Sequence, residues 1–231
     1  MSSARRTAGA TGHRAGSSRL LRAAACGAFA LATLSAGLVE ARITRIEITS
    51  RTPAYGGFEF EAVGAYERVV GVAYGEVNPA TRLNNMIVDI GLAPRNARGN
   101  VEYSFDFYML KPVDMAKGNR RMMYEPPNRG GKTFGAFNRS TGGNDPGAST
   151  NPAGTFLAPR GYTMVFSGWD FSAGTNGANF NATIKLPLAK NPDGSTITGP
   201  SYEYIVMGNS TTTGYTLSYP AASLDKAGAR L

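Results

Sequence analysis

Alternating apolar and polar residues in the first half of the chain predict β-strands. Residues 43–49 form one β-branched run, and residues 69–77 and 86–90 form two more. The clearest alternation covers residues 101–110. It places on one face Val101, Tyr103, Phe105, Phe107 and Met109, and on the other Glu102, Ser104, Asp106 and Tyr108. This period of two residues is typical of a half-buried strand.

The pattern changes near residue 121. Residues 121–125 form a short apolar run before a loop rich in proline and glycine, and residues 161–170 contain a second such run. Between them, residues 151–159 predict a short helix centred on residues 155–158. Strand, glycine loop, helix and strand in this order form the repeating unit of an α/β sheet. We therefore expect an α/β fold with a large β-rich portion, including further strands at 181–188 and 201–208.

The first 41 residues have the three parts of a cleavable secretion signal. Five arginines precede an apolar run at 23–39, and Val39 and Ala41 supply small or apolar side chains before the cut. We place the cleavage between Ala41 and Arg42. The alternative is a membrane anchor, but the run is short and rich in alanine, whereas a spanning helix needs about twenty strongly apolar residues. The expected location is the periplasm or the exterior, with no stable membrane span after cleavage.

Removing this segment changes the charge and the available chemistry. The chain has 24 basic and 16 acidic side chains, and residues 42–231 keep 19 and 15 of them, a net charge of +4 instead of +8. A nucleic-acid partner, which needs a clustered basic face, is therefore not expected. The only histidine, His13, and the only cysteine, Cys26, lie in the signal. Residues 42–231 thus cannot form a disulfide or a His- or Cys-based metal site, and we expect no cofactor.

Residues 42–231 also lack the parts of a complete hydrolytic site. A Ser-His-acid hydrolase needs an imidazole, and none is present after His13. The nucleophile turn Gly-x-Ser-x-Gly is absent, and its nearest match, around Ser210, lacks the final glycine. Carboxylates such as Asp106 and Asp145 have no spacing that predicts a catalytic pair. We therefore assign no catalytic residue.

Two loops contain the candidate site residues. The first follows a predicted strand and consists of Asn128, Arg129, Gly130 and Gly131. Glycines there let backbone N–H groups point at a phosphate or a developing oxyanion, although a plain turn is the alternative. The second follows the next predicted strand, where Trp169 and Asp170 mark a candidate cleft. Capping of backbone amides is the alternative role for Asp170.

Several blocks of the sequence resemble one family, the exported bacterial alpha/beta hydrolase domain-containing proteins. The blocks are residues 88–90, 93–99, 101–104, 108–114, 124–130, 144–146, 156–157 and 160–169. The resemblance runs from about Ile43 to the end of the chain. Because members of that family are much longer, it implies that this chain is their N-terminal part.

The resemblance implies a division of the chain and a function. Residues 42–120 would be a β-rich region, and residues 121–231 the truncated start of an α/β-hydrolase core with a β-rich insertion. The loop at 128–131 would occupy the oxyanion-hole position, while the nucleophile and histidine would lie further along. The full-length protein would then hydrolyse a small ester-like substrate, and this portion would be inactive alone.

A secreted β-rich module without catalysis is the alternative function. Such a module would bind a carbohydrate or a surface polymer through exposed aromatic side chains. The candidates are Tyr202, Tyr204, Tyr215 and Tyr219.

Overall fold

The structure is a computed structural model that describes residues 41–133, 135–174 and 180–200, with 202, 214, 217 and 219–224. These residues form seven β-strands, one four-residue α-helix and eight three-residue 3-10 turns. The strands are β1 (Ala41–Pro53), β2 (Glu59–Phe60), β3 (Gly64–Val77), β4 (Val101–Pro112), β5 (Met122–Glu125), β6 (Thr163–Ser167) and β7 (Ile184–Lys185). The helix α1 is Gly135–Asn138.

The seven strands form one mixed sheet. Its order is β1-β3-β4-β6-β5, with β2 paired to β3 and β7 paired to β4. Strands β1, β3, β4 and β6 pair antiparallel with one another, whereas β5 runs parallel to β6. Strands from both sides of residue 120 therefore join the same sheet.

The predicted α/β fold is wrong. The described residues form a mostly β structure whose only α-helix is the single turn α1. The helix expected at 155–158 is a loop that leads into the 3-10 turn Ala158–Arg160. Leu157 is nevertheless buried, because Asn138 holds the loop in place by accepting the Leu157 N–H through Oδ1 at 2.8 Å. The described residues thus do not form the N-terminal part of an α/β-hydrolase fold, in which helices cover the sheet.

Most predicted strands of the first half are confirmed, with one exception. The runs at 43–49, 69–77 and 101–110 lie within β1, β3 and β4. The run at 86–90 is not a strand, because it lies across two 3-10 turns, Asn84–Met86 and Ile90–Leu92. Short apolar runs do not distinguish strands from other buried or half-buried segments.

The later runs are strands over shorter lengths than predicted. The runs at 121–125 and 161–170 become the short strands β5 and β6, and the run at 181–188 contributes only the two residues of β7. Apart from Tyr202, the run at 201–208 lies outside the described residues.

The hydrophobic core lies against one face of the sheet. Its buried members are Ala54, Tyr55, Phe60, Val63, Tyr66, Tyr108, Leu110, Leu157, Ala158, Met164 and Phe166. In β4 this face carries Tyr108 and Leu110, which are fully buried. The opposite face of β4, with Tyr103, Phe105 and Phe107, is only half-buried. The more apolar face of this strand is therefore not the one that the core covers.

Strand β1 forms one edge of the sheet and is exposed on both faces. It carries large apolar side chains at Ile43, Ile46 and Ile48. Two irregularities in its pairing with β3, after Ile43 and after Ile48, interrupt the edge, and such bulges discourage edge-to-edge association. The predicted cleavage site lies at the start of this strand, where Ala41 pairs with Val77 and Arg42 with Glu76. Among the described residues, no helix is long and apolar enough to cross a membrane.

A buried carboxylate joins β1 and β3 to the connection that follows β3. Glu76 is 2% exposed and lies 2.6 Å from both the Arg42 and the Arg98 guanidinium nitrogens. Asn96 donates a further hydrogen bond to it at 2.8 Å. These contacts, led by the hydrogen bonds from Arg98, lower the pKa of Glu76 to about 2.

This lowered pKa predicts an acid-dependent loss of stability. The ordinary pKa of 4.5 applies to the unfolded chain. Glu76 therefore stabilises the fold above about pH 5, and its contribution is lost as the pH falls toward 2. In urea unfolding, we expect Glu76→Gln to be less stable than the wild type at pH 7, with the difference shrinking on acidification. Glu61→Gln, at an exposed position, serves as the control, and a difference that stays constant down to pH 3 would contradict this assignment.

Candidate functional site

The carboxyl ends of β5 and β6 lie side by side, because these strands run parallel. Glu125, the last residue of β5, pairs with Phe166 near the end of β6. The chain leaves β5 through residues 126–133 and leaves β6 through residues 168–174. The two candidate loops named from the sequence therefore begin at the same edge of the sheet.

The glycine loop is a tight turn. The Gly131 N–H donates to the Asn128 carbonyl at 3.0 Å, and the two central residues both have positive φ, +52° at Arg129 and +78° at Gly130. Positive φ at both central positions defines a type I′ turn. Glycine suits the second of these positions, whereas Arg129 adopts an uncommon backbone conformation there.

Close packing holds this turn against the second loop and the segment after it. A Cβ atom at Gly130 would lie 2.9 Å from the Ala173 Cβ and 3.2 Å from the Ala182 carbonyl oxygen. The Gly130 carbonyl also accepts the Ala182 N–H at 3.1 Å. Glycine is therefore favoured at position 130 for two reasons: it adopts the positive φ of the turn, and it has no Cβ that would clash with Ala173 and Ala182. At Gly131 the nearest atom to such a Cβ would be the Asn128 carbonyl oxygen at 3.5 Å, an ordinary contact.

Two side chains connect the loops directly. The Trp169 indole N–H donates to the Pro127 carbonyl at 2.8 Å, which leaves the ring about half exposed. The Arg129 guanidinium lies 3.3 Å from the Asp170 carboxylate. The structure thus brings together the residues that the sequence suggested as an oxyanion loop and as a cleft.

Asp170 caps the turn that follows it. Its Oδ1 accepts the Ser172 N–H at 2.8 Å, at the start of the 3-10 turn Phe171–Ala173. The side chain is buried, and the hydrogen bond from the Ser172 hydroxyl together with the nearby Arg129 charge lowers the pKa of Asp170. Asp170 is therefore an ionised carboxylate that caps backbone amides. This is the role that the sequence analysis named as the alternative to a cleft position.

A buried lysine lies directly after the turn. Lys132 is 7% exposed, and its Nζ donates to the carbonyls of Asn144 and Phe180 at 3.0 and 2.5 Å. The ammonium group also lies 4.6 Å from the centroid of the Tyr108 ring, a cation–π distance. Burial lowers the pKa of Lys132 to about 8. Lys132 thus connects the turn to two other segments. These contacts could not be predicted from the sequence, because the partners are backbone carbonyls of distant residues.

A second group of polar side chains packs next to this lysine. Asp145 forms an ion pair with Arg68 on β3 and accepts a hydrogen bond from the Tyr108 hydroxyl on β4. The Tyr108 hydroxyl in turn accepts the Gly147 N–H at 2.9 Å. The Arg68 guanidinium lies 4.6 Å from the centroid of the Phe180 ring. We call Arg68, Tyr108, Lys132 and Asp145 the polar cluster; it connects the sheet to the loops that hold the turn.

Five carboxylates, the three named from the sequence together with Glu102 and Glu125, all contact hydrogen-bond donors of the protein. Asp145 and Asp170 have the partners described above, and the other contacts join Asp106 to Thr183, Glu102 to Asn96 and Glu125 to Thr133. Within the described ranges, no group of three or more His, Cys, Asp or Glu side chains could hold a metal ion. Ser210, Tyr204 and Tyr215 lie outside the described residues.

A cavity of about 340 Å³ lies beside the polar cluster, between β1, β3, β4 and residues 180–182. Thr49, Ser50 and Asp106 provide polar groups in its lining, and Tyr108 and Phe180 provide ring surface. None of the residues 128–131, Trp169 or Asp170 lines it. The candidate loops therefore do not form the wall of this cavity; Arg129 and Trp169 are exposed, whereas Gly130 and Asp170 are buried.

Comparison with known proteins identified no relative of this chain. No family model, no curated protein and no solved structure matches it. The resemblance to exported alpha/beta hydrolase domain-containing proteins therefore stays a prediction from the sequence blocks.

Proposed function

We propose that the loops at 126–133 and 168–174 form the oxyanion-binding part of an exported ester-type hydrolase. The serine nucleophile and the histidine base would come from sequence beyond this chain, since residues 42–231 contain no imidazole. The observation that carries the proposal is the type I′ turn at the common edge of β5 and β6. Its internal hydrogen bond uses the Gly131 N–H. The turn itself therefore leaves the N–H groups of Arg129 and Gly130 unused.

The packing and hydrogen bonds that hold the turn in place support this function. Donors stabilise a developing negative charge best when they are held in place before the reaction, because no reorganisation is then needed. The packing of Gly130 against Ala173 and the bond from Trp169 to Pro127 provide that support. The Arg129 guanidinium adds positive charge beside the turn, although Asp170 partly balances it.

Phenylphosphonate, a tetrahedral anion, is the probe for this proposal. We expect its titration into the ¹⁵N-labelled protein to produce saturable shifts of the Arg129 and Gly130 amide signals. The turn that the Gly194 N–H closes onto the Asn191 carbonyl at 2.8 Å is the control, and its amides should not respond. The absence of saturable shifts at Arg129 and Gly130 in the folded protein would refute the proposal.

An Arg129→Gly variant separates backbone binding from side-chain binding. Glycine tolerates the positive φ and keeps the amide group but removes the guanidinium. If the amides bind the anion, the dissociation constant should rise by no more than about fivefold, the size expected for an exposed charge contact. Complete loss of binding would mean that the guanidinium holds the anion, and the oxyanion proposal would fail.

The chain by itself should show no esterase activity. Hydrolysis through a serine nucleophile requires a base that activates the hydroxyl, and residues 42–231 have no histidine for that role. We expect no hydrolysis of p-nitrophenyl esters above background. Turnover that a serine-directed phosphonate removes would contradict the assignment of the nucleophile to sequence beyond this chain.

Carbohydrate binding is the second candidate function, and the exposed aromatic side chains favour it. Trp169 and Phe171 are about half exposed, and the indole of Trp169 is fixed by its bond to Pro127. The Tyr219 ring lies 5.9 Å from that of Phe171, and Tyr202 is also exposed. Such side chains expose large apolar ring faces, and the tryptophan and tyrosine rings also carry a polar group at one end. Saturable quenching of Trp169 fluorescence by oligosaccharides, without any response to phenylphosphonate, would favour this function over the first.

A further inference from the structure

Two segments outside the candidate loops form an exposed apolar patch. We define the patch by its large side chains, Leu83, Met86, Ile87, Val88, Leu92, Leu186 and Leu188. Met86, Val88 and Leu188 are 76%, 84% and 81% exposed. Contiguous apolar surfaces of this kind mark interaction sites in soluble proteins.

The two segments of the patch meet around one cavity. The cavity measures about 340 Å³, and both Ile87 and Val88 from the first segment line it together with Leu186 from the second. Buried Ile90 and Val101 complete part of its wall. Ile87, Val88 and Leu186 therefore belong to one surface that joins the two segments.

Local hydrogen bonds hold the first segment with its apolar side chains outward. Asn84 is buried and donates from Nδ2 to the Asn78 carbonyl at 2.9 Å. The Ile87 N–H closes one 3-10 turn at 3.0 Å and the Leu92 N–H donates to the Asp89 carbonyl at 2.9 Å. Asn84 and Ile90 point inward at either end, so Met86, Ile87 and Val88 between them face the solvent.

Basic side chains flank the patch residues along the chain, and the one acidic side chain of these segments, Asp89, lines the cavity. Residues 82–95 and 184–190 together contain four basic side chains and one acidic side chain, a net charge of +3. The four are Arg82, Arg95, Lys185 and Lys190, and all are exposed. Lys185 lies on the sheet face opposite Ile184, which lines the cavity, so Arg82, Arg95 and Lys190 are the cations next to patch residues. Arg95 lies over the first segment, where its guanidinium donates to the Gly91 carbonyl at 3.5 Å. The nearby Glu76 is buried and already paired with Arg42 and Arg98, so it does not offset this charge.

We propose that the apolar patch docks onto the surface of an anionic phospholipid bilayer. Apolar side chains enter the boundary between headgroups and acyl chains, while lysine and arginine side chains contact the phosphates. The combination of outward Met, Val and Leu side chains with a basic border matches this arrangement. A purely apolar partner surface would account for the first feature and not for the second. The proposal is independent of the hydrolase function.

Vesicle flotation tests the proposal. The protein is mixed with vesicles of phosphatidylcholine alone or of phosphatidylcholine with phosphatidylglycerol. Both the full chain and the chain from Arg42 are used, because residues 1–41 are themselves apolar and basic. Wild-type protein should bind the vesicles that contain phosphatidylglycerol, and added salt should weaken that binding.

Three variants separate the contributions of the patch. Val88→Ser with Leu188→Ser should weaken binding to anionic vesicles at least about tenfold, because two exposed apolar anchors are removed. Arg82→Gln with Lys190→Gln should reduce the preference for phosphatidylglycerol, because both cations are exposed next to patch residues. Leu224→Ser, at a position that is 91% exposed outside the patch, is the matched control and should bind as the wild type does.

Several outcomes would overturn the proposal. Equal binding by the Val88/Leu188 variant and the wild type would show that the patch does not contact the bilayer. Equal binding to both kinds of vesicle would remove the role of the basic border. Light scattering that shows a dimer in the wild type and a monomer in the Val88/Leu188 variant, without vesicle binding, would assign the patch to self-association instead.

Discussion

Replacing Asp145 with alanine should lower the free energy of unfolding by about 3 kcal/mol, the size expected when one partner of a buried ion pair is removed. The substitution leaves the Arg68 guanidinium, whose side chain is only 21% exposed, without its carboxylate. It also deprives the buried Tyr108 hydroxyl of its acceptor. Both changes affect the polar cluster, which connects the sheet to the loops that hold the candidate turn.

Urea unfolding followed by fluorescence measures this loss. Trp169 is the only tryptophan in the chain, so the signal reports on the candidate loops themselves. Asp145→Asn should have an intermediate stability, since an amide oxygen still accepts from Tyr108 while the charge is gone. The order of stability of the wild type, Asp145→Asn and Asp145→Ala separates the contribution of the ion pair from that of the hydrogen bond.

The matched control for Asp145→Ala is Arg45→Ala. Arg45 and Glu47 form an exposed pair on β1 at 2.5 Å, with both side chains about half exposed. Pairs of this kind contribute little to stability, because water and salt screen them. If Asp145→Ala costs no more than Arg45→Ala, the polar cluster does not stabilise the loops as described.

Replacing Gly71 with alanine should lower the free energy of unfolding by about 3 kcal/mol, the upper end for overpacking a close contact. Gly71 lies on β3 between β1 and β4. An added Cβ would lie 2.1 Å from the Glu47 carbonyl oxygen on β1 and 2.8 Å from the Phe107 ring on β4. A backbone atom cannot turn away as a flexible side chain does, so the pairing of β1 with β3 must shift.

The control for Gly71→Ala is Gly91→Ala. Gly91 has open space around the position of an added Cβ. A surface substitution of this kind should change stability by no more than about 0.5 kcal/mol. A thermal melt of both variants provides the comparison, and equal melting temperatures would contradict the close approach of β1 to Gly71.

The strands were the best-predicted part of the fold, and the connections were the worst. Alternation over 101–110 correctly predicted β4, since the pleated strand exposes successive side chains to opposite faces. Residues 86–90 have a similar apolar composition but lie in 3-10 turns, with Asp89 in a left-handed conformation. The apolar residues near Leu157 enter the core from a loop, so their burial alone did not indicate a helix.

The members of the candidate site were predicted separately, and their relation was not. The sequence singled out residues 128–131 because of their glycines, and Trp169 with Asp170 because they follow a strand. The contacts between the two loops depend on the parallel pairing of β5 with β6, which brings together residues about forty positions apart in the chain. The burial and contacts of Lys132, at the end of the glycine loop, were not predicted, because its partners are the backbone carbonyls of Asn144 and Phe180.

The sequence by itself determined where the main strands lie, the net charge of +4 over residues 42–231, and the absence of histidine and cysteine there. These properties depend only on residue type and spacing. The tertiary structure alone decided which face of each strand is covered. In β4 the more apolar face stays half-buried, while Tyr108 and Leu110 enter the core. The reason is that alternation distinguishes two faces, whereas burial depends on which segments pack against each of them.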